Sequence, residues 1–445
     1  MSNSTRPPSA YSPLKDGRDL NAFTYFDSSL GSMHSATEAP GPTSARLDQP
    51  LATFSLGIKD NIEVAGMPCS CGTPSLRNYM PKFDAPAVAR LRAAGATIVG
   101  KTNMHELAYG ITSNNAAFGP VRNAFDPNCF AGGSSGGTAV AIAAGVVRAG
   151  LGTDTGGSSR IPAALNGIVG FRPSMGRYPM DGVARISPTR DVIGPMGRDV
   201  KDVALLDSIL AGSANGGLPA IDLRGLRLAL PRQHFQEGLH ADVRSALESV
   251  VARLREAGVV LIETDLPDIA ALNTAVSLPV CIHETKGALQ RFLQDAGLEL
   301  TVEELHASIA SPDVKALVGL SLSGHFSSEA YQRAIEYHRP RLQQAYRDFF
   351  CTHRIEGILF PTTPLPACPI EGSDETVTLN GTRVPTFETF IRNTDPASNA
   401  GIPAISLPAG VSSGLLPLGI ELDAPEGADR RLLAIAAAIE VVLNN

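Results

Sequence analysis

Short apolar runs alternate with longer amphipathic segments along most of this chain, a pattern that predicts strands alternating with helices. Strands are predicted at residues 54–58, 97–99, 151–153, 226–230, 259–262, 357–360, 404–407 and 418–422. Helices are predicted at residues 85–94, 136–147, 199–210, 241–257 and 428–443. This alternation is typical of an α/β protein whose helices form layers on a sheet.

Two stretches differ from the rest of the chain in composition and in hydrophobic pattern. Residues 1–50 are rich in Ser, Pro, Thr and Gly, and we expect a polar surface segment with a short ordered piece at 19–27. Residues 267–350 are mostly helical in pattern and more polar, so we expect a helical variable region or cap there. Because no long linker separates these parts, the sequence predicts one large domain over residues 51–445.

The composition argues against several classes of protein. A net charge of −7, without any Lys/Arg-rich block, does not favour nucleic acid or anionic lipid as a partner. The polar N-terminus lacks the apolar core of a secretory signal, and the apolar runs are too short for a bilayer, so we expect a soluble, cytoplasmic protein. Apart from Cys69 and Cys71 the cysteines are scattered, and the nine histidines form no metal-binding motif. We therefore expect neither a metal nor another cofactor.

The candidate chemistry lies in residues 131–160, which read AGGSSGGTAVAIAAGVVRAGLGTDTGGSSR. The glycine-flanked serines Ser134 and Ser158 stand near the two ends of this stretch, and Lys59 lies upstream in the motif GIKDN. A serine hydroxyl becomes a useful nucleophile only when a base takes its proton. We therefore hypothesise that Lys59, Ser134 and Ser158 meet in space and form a serine hydrolase site without histidine. The letters G-x-S-x-G fit around Ser134, but the loop-like residues before it do not favour a nucleophile elbow.

The loop Thr155-Gly156-Gly157-Ser158 has a second use in such a site. Its central glycines allow several backbone N–H groups to turn towards one point. Beside a nucleophile, such donors form an oxyanion hole and contribute roughly 3–4 kcal/mol each in the transition state. The alternative is a nucleotide-binding module whose glycine clusters hold phosphate at a helix N-terminus. Neither a Walker lysine nor a G-x-G-x-x-G motif supports that alternative.

The combination of these motifs resembles the amidase signature family. The matching residues are GGSSGG at 132–137, GTDTGGSSR at 152–160 and Lys59-Asp60-Asn61, with further similarity at 359–369 and 396–410. The resemblance implies a single α/β/α layered domain with a mixed central sheet. It also implies an amidase that hydrolyses a small-molecule amide through an acyl-enzyme and needs no cofactor.

The same resemblance implies a role for each site residue. Ser158 resembles the nucleophile, Lys59 the base, and Ser134 the bridging serine, whose peptide bond from Gly133 is cis in the family. An amine acts as a base at neutral pH only if its surroundings keep it uncharged, so we expect Lys59 to be buried.

Further residues are expected to support this triad. Oxyanion or substrate binding is expected from Thr155, Gly156, Gly157 and Gly133, and bracing of the nucleophile loop from Asp154 and Arg160. Ser159 departs from the Ile or Val that is usual in the family, a change that removes no catalytic group. His105 lies in a matching stretch, but nothing in the sequence pairs it with a serine, so we expect it to pack a loop.

The substrate class is suggested by a narrower resemblance. Segments 100–113, 119–123, 169–183 and 187–196 look most like the indoleacetamide and mandelamide hydrolases, which implies a primary amide of an aryl-containing acid. The family also carries a helical pair before the lysine strand, and only about fifty residues precede that strand here. A more open cleft would favour an aryl acylamidase or a carbamate (urethane) hydrolase. A non-autonomous amidotransferase A-type subunit is the alternative of another class, and a homodimer is left open.

Overall fold

Strands from both halves of the chain form one large β-sheet. The computed structural model describes residues 20–27, 49–213 and 217–444. The strands are β1 (Phe23–Phe26), β2 (Ser55–Lys59), β3 (Thr97–Thr102), β4 (Ala149–Asp154), β5 (Val169–Arg172), β6 (Val192–Gly197), β7 (Arg227–Ala229), β8 (Val260–Ile262), β9 (Gly357–Pro361), β10 (Thr376–Leu379), β11 (Thr382–Pro385), β12 (Ala404–Val411) and β13 (Pro417–Asp423). Within the described ranges, the large sheet contains eleven strands in the order β1-β3-β2-β4-β6-β5-β12-β13-β9-β7-β8, and β10 and β11 form a separate hairpin.

Helices cover this sheet. They are α1 (Pro86–Ala93), α2 (Gly136–Ala143), α3 (Arg160–Leu165), α4 (Val200–Leu210), α5 (Ala241–Glu256), α6 (Ile269–Thr274), α7 (Ser277–Asp295), α8 (Val302–Ser308), α9 (Pro312–Leu322), α10 (Ser328–Arg333), α11 (Arg339–His353), α12 (Thr386–Ile391), α13 (Asp395–Ala400) and α14 (Asp429–Asn444). A π-helical turn at Ala334–His338 joins α10 to α11. The stretch from 267 to 350 is therefore helical in the structure. No helix among the described residues is both long enough and apolar enough to span a membrane.

The sheet is mixed, as the resemblance implied. Strand β2 runs parallel to both β3 and β4, whereas β4, β6, β5, β12, β13 and β9 pair successively in antiparallel fashion. Strands β9, β7 and β8 are again parallel. Both faces of the sheet are buried, which the alternation along β9 illustrates. Leu359 packs into the cluster with α5 and α14, whereas Ile358 and Phe360 pack into the cluster with α6 and α11. The prediction of a single α/β/α domain is thus confirmed.

The differences from the predicted elements have local causes. The predicted helix 136–147 ends at Ala143, because Gly145 adopts a φ of +75°, which breaks the helical path. Strands β5 and β6 were not predicted, because the sequences VGFR and VIGPMG are short and carry glycine or proline. The expected ordered piece at 19–27 contains β1, and Asp19 itself lies outside the described residues.

Strand β1 supports the start of helix α2. It lies at the edge of the sheet, antiparallel to β3. Just before β1, the Ala22 carbonyl accepts a hydrogen bond from the Asn103 N–H, and the Asn103 carbonyl accepts one from the Gly137 N–H. A Cβ atom on Gly137 would lie 2.4 Å from the Ala22 oxygen. The first turn of α2 is therefore packed directly against this N-terminal strand.

We expect Ile405→Ala to destabilise the domain. Ile405 is fully buried in β12, in the cluster that joins the sheet to α14. Its truncation should lower the free energy of unfolding by about 2–5 kcal/mol, because transfer and cavity terms add. Chemical denaturation measures the change. Val441→Ala on α14, where the side chain is 61% exposed, is the control and should change stability by less than about 0.5 kcal/mol.

Candidate active site

The carboxyl ends of the parallel strands β2 and β4 meet at one edge of the sheet. Lys59 is the last residue of β2, and Thr153 lies one residue before the end of β4. Because Ile58 is in register with Leu151, the two side chains come together. The Lys59 amine donates hydrogen bonds to Thr153 Oγ1 and to Ser134 Oγ, each at 2.8 Å. The lysine and the first serine of the hypothesis are thus in direct contact.

Ser134 lies in the loop before α2, and Ser158 lies in the loop before α3. The Gly133–Ser134 peptide bond is cis. The Ser135 N–H donates to the Ser158 carbonyl at 3.1 Å, and Ser135 Oγ donates to the Thr153 carbonyl at 3.2 Å. These bonds hold both loops to the end of β4.

The three residues of the hypothesised triad differ in their access to solvent. Lys59 and Ser134 are 0% exposed, whereas Ser158 is 7% exposed, so Ser158 is the most accessible of the three. Among the described residues, no hydrogen bond joins the hydroxyls of Ser134 and Ser158 to each other. Catalytic hydrogen bonds are often long without substrate and tighten when it binds.

Burial controls the charge of Lys59. Desolvation lowers its pKa to about 7, against the opposing effects of Asp154, Asp191 and Cys71. An ordinary lysine with a pKa of about 10.4 is almost fully protonated at neutral pH. A large fraction of Lys59 is therefore an uncharged amine under these conditions, and the amine can accept a proton.

The glycine loop, which comprises residues 155–158 after β4, is held in place by hydrogen bonds from three directions. Thr155 Oγ1 donates to Asp191 Oδ1 at 2.6 Å, and Thr394 Oγ1 donates to the Gly156 carbonyl at 2.5 Å. The Gly157 N–H donates to Asp154 Oδ1 at 3.0 Å. That bond occupies one of the donors expected for the oxyanion. In the described part of the chain, the N–H groups of Gly156 and Ser158 have no hydrogen-bond partner. Gly133, in the loop before α2, is packed tightly against residues 111–113, and a Cβ there would lie 2.9 Å from the Ser113 nitrogen.

Asp154 and Arg160 meet beneath this loop. The Arg160 guanidinium binds both oxygens of Asp154 at 3.0 Å, and Arg172 adds a third contact at 3.0 Å. All three side chains are fully buried. Burial alone would raise the pKa of Asp154, but Arg160 and Arg172 hold it well below its usual range. The carboxylate therefore remains ionised and anchors the loop.

The same arginine reaches across the sheet to the C-terminal strands. Arg160 donates to Glu421 Oε1 on β13 at 2.5 Å, to the Thr394 carbonyl at 2.9 Å and to Ser398 Oγ at 2.7 Å. Burial raises the pKa of Glu421 to about 7, although Arg160 opposes the rise. The glycine loop is thus fastened to residues more than two hundred positions later in the chain.

A cavity of about 570 Å³ lies beside the site, between the 180–189 loop and α7. Its wall includes Val183, Thr189, Glu284, Phe292 and Tyr331. The neighbouring Ala184 carbonyl accepts a hydrogen bond from Asn61, two residues after Lys59. Ser158 does not line this cavity. Within the described ranges, no group of three His, Cys, Asp or Glu side chains is arranged to hold a metal ion.

Comparison with known proteins identifies the family of this chain. The family model for amidases matches residues 18–433. This chain belongs to the amidase signature family. It is 45% identical over 390 residues to an indoleacetamide hydrolase of Agrobacterium vitis, covering 87% of this chain and 83% of that protein. It is 40% identical over 453 aligned positions to a mandelamide hydrolase of Pseudomonas putida, covering 97% and 86%. A crystal structure of an amidase superposes with a TM-score of 0.82 at 33% identity, covering 95% of this chain and 92% of that chain.

Several residues of this amidase site were not predicted from the sequence. Thr153 and Asp191 lie inside segments that were recognised, but their partners Lys59 and Thr155 are far away in the chain. Arg172 and Glu421 are buried charges in short apolar strands. A charge in an otherwise apolar strand is a usable signal, since such a residue needs a buried partner.

His105 and Glu106 attach the helical region to the loops around the site. His105 Nε2 lies 3.0 Å from Asp313 Oδ2, and its Nδ1 accepts the Ser113 N–H at 3.2 Å. Glu106 accepts hydrogen bonds from Thr73 Oγ1 and the Ser311 N–H, both at 2.7 Å. Ser159 is also buried, and its Oγ finds no partner among the described residues.

We expect Gly157→Ala to remove most activity. Gly157 has a φ of +135°, and a Cβ there would lie 2.1 Å from Thr394 Oγ1. The loop must move, and small displacements at a reacting centre cost on the order of a hundredfold in rate. Gly176→Ala is the matched control, because Gly176 also has a positive φ, +76°, but no atom within 4 Å. Steady-state rates of the two variants on one amide substrate make the comparison, and equal rates would contradict the prediction.

We expect Lys59→Met to remove a pH-dependent cost of folding. The pKa of Lys59 is about 7 in the folded protein and about 10.4 in the unfolded chain. The unfolded chain therefore binds more protons between these values, so wild-type stability rises with pH in that window and is lowest below it. The free energy of unfolding of the variant minus that of the wild type should fall with rising pH by about 1.4 kcal/mol per unit. Denaturant titrations at matched pH test this, and a difference that does not vary with pH would refute it.

Proposed function

We propose that this amidase hydrolyses a primary amide of an aryl-containing carboxylic acid through an acyl-enzyme on Ser158. The observation that carries the proposal is the buried amine of Lys59, 2.8 Å from Ser134 Oγ and without a salt bridge to any described residue. An uncharged lysine next to a hydroxyl is a general base. The proposal assigns Lys59 as that base, Ser134 as the proton bridge and Ser158 as the nucleophile.

The first half of the reaction forms the acyl-enzyme. Lys59 accepts the proton of Ser134, Ser134 accepts the proton of Ser158, and Ser158 Oγ attacks the amide carbonyl. For this step the Ser158 hydroxyl turns towards Ser134 when substrate is bound. The developing oxyanion accepts hydrogen bonds from the Gly156 and Ser158 N–H groups, with Thr155 N–H as a third candidate donor. The relay then returns a proton to the leaving nitrogen as the C–N bond breaks, and ammonia departs.

The second half regenerates the enzyme. A water molecule attacks the acyl carbonyl while the same relay takes one of its protons. The C–O bond to Ser158 breaks, the serine recovers its proton, and the carboxylic acid leaves. Each proton that Lys59 accepts is returned within the same half-reaction, so the cycle needs no cofactor.

Support for the substrate class comes from the names of the relatives. The indoleacetamide and mandelamide hydrolases are named for primary amides that carry an aromatic ring. These similarities extend over more than four-fifths of each relative. Activity of the purified chain alone is expected for such an enzyme, and dependence on partner chains would favour the amidotransferase A-type alternative.

We expect Ser158 alone to be labelled by a fluorophosphonate or sulfonyl fluoride, because it is the activated and accessible serine. Mass spectrometry locates the adduct, and Ser158→Ala should abolish both labelling and turnover. Ser323→Ala, at the exposed end of α9, is the matched control and should retain both. An adduct on another residue, or full turnover by Lys59→Met, would contradict the proposed triad.

A panel of an arylacetamide, an anilide and an aryl carbamate tests the substrate class. We expect the primary amide to give the highest kcat/KM. Its pH profile should rise through an acidic limb near the pKa of Lys59, which is about 7. A primary-amide rate far below the other two would reassign the enzyme to the acylamidase or urethanase class with the same triad.

A further inference from the structure

The carboxylate of Asp191 sits between the glycine loop and the loop that leads to β6. Its Oδ1 accepts the Thr155 hydroxyl at 2.6 Å, and its Oδ2 accepts the N–H groups of Ile186 and Ser187 at 2.8 and 2.9 Å. The side chain is almost completely buried. Both oxygens are thus bound to neutral donors from two different loops.

This contact extends to the helical region. Ser187 Oγ and Thr189 Oγ1 donate to the two oxygens of Glu284 on α7, each at 2.7 Å. A continuous path of hydrogen bonds therefore runs from Thr155 through Asp191 and the 186–189 loop to Glu284. Glu284 and Thr189 also line the cavity of about 570 Å³ beside the site. A molecule that contacts this wall thus contacts elements fixed to the glycine loop.

The negative charge of Asp191 also acts on Lys59. Two buried carboxylates, Asp154 and Asp191, favour the charged form of Lys59 against desolvation. Asp154 is bound directly by Arg160 and Arg172, so much of its charge is compensated. Asp191 makes no salt bridge within the described residues.

The groups that face this pair come from several elements. Lys59 faces Asp154, Asp191 and Cys71. Asp191 in turn faces Arg190 on its own loop, Tyr109 on the loop after β3, and Cys281 on α7. The guanidinium of Arg190 is itself bound to Asp395 at 2.5 Å. Among the groups named here, Arg190 is the one cation besides Lys59, and its charge is compensated by Asp395 and not by Asp191.

We propose that Asp191 is a positioning residue of the amidase reaction, which fixes Thr155 against the 186–191 loop and keeps negative charge beside Lys59. The inference rests on the proposed function. In this arrangement Asp191 acts through its neighbours and does not touch the reacting carbonyl. It holds the first residue of the glycine loop while it tunes how readily Lys59 gives up its proton.

Two variants separate these effects. Asp191→Asn keeps the shape and can still bond Thr155 and the two N–H groups, but it removes the charge. Thr155→Val removes the bond to the glycine loop and leaves the charge in place. Asp202→Asn is the matched control, because Asp202 is a buried acid paired with Arg148 and is absent from the groups that face Lys59.

The experiment is the pH profile of kcat and kcat/KM for an arylacetamide with each full-length variant. For Asp191→Asn we expect the acidic limb to move to lower pH by on the order of one unit, because a charge that favours protonated Lys59 is gone. For Thr155→Val we expect kcat to fall on the order of tenfold or more, with the limb in place. Asp202→Asn should change neither property.

The outcomes distinguish this inference from the proposed function. An unmoved limb in Asp191→Asn, or an unchanged kcat in Thr155→Val, would overturn the role of Asp191. In that case an active wild type and an inactive Ser158→Ala would still support the proposed function. A wild type without amidase activity, or an active Ser158→Ala, would instead overturn the function itself. If Asp191→Asn does not fold, Thr155→Val still decides the positioning role, and Asp191→Glu, which retains the charge, should keep the limb in place.

Discussion

The site depends on the desolvation of one amine. Lys59 ends a buried strand, and its amine has two hydroxyl partners in place of a carboxylate. Removing an ammonium group from water is costly unless a counter-charge binds it, so the neutral form is favoured. The parallel arrangement of β2 and β4 produces this situation, because it places the Lys59 amine against Thr153 and beneath the loop before α2. The fold thus gives up stability at neutral pH to keep a lysine amine in the interior.

A second set of buried groups has the opposite character. Asp154, Arg160 and Arg172 keep their charges close together in the interior, where both arginines bind Asp154 directly and Arg160 also binds Glu421. Removing one member of such a set leaves a buried charge without full compensation, which is strongly destabilising. Arg160 binds both Asp154 at the end of β4 and Glu421 on β13, so the position of the glycine loop depends on a strand from the C-terminal part of the chain.

The sequence allowed most of the fold and part of the site to be predicted, for identifiable reasons. Strands such as β9 and β13 are short apolar runs bounded by turns, and helices such as α5 have a clear apolar face, so local pattern was sufficient. The contact of Lys59 with Ser134 was anticipated from the motifs. The contribution of Asp191 could not be, because its hydrogen bond to Thr155 depends on how two loops meet across the sheet edge. The occupation of the Gly157 N–H by Asp154 is likewise a matter of tertiary geometry.

The edge strand β1 has a consequence for work with shortened chains. Residues 1–50 look dispensable by composition, yet Phe23–Phe26 pairs with β3, and Ala22 supports Asn103 and the first turn of α2. Trimming the protein at the start of the apolar pattern would expose the edge of β3 and loosen the turn that follows Ser134. An inactive truncation of that kind would reflect a displaced helix start, and it would carry no information about the chemistry of the serines.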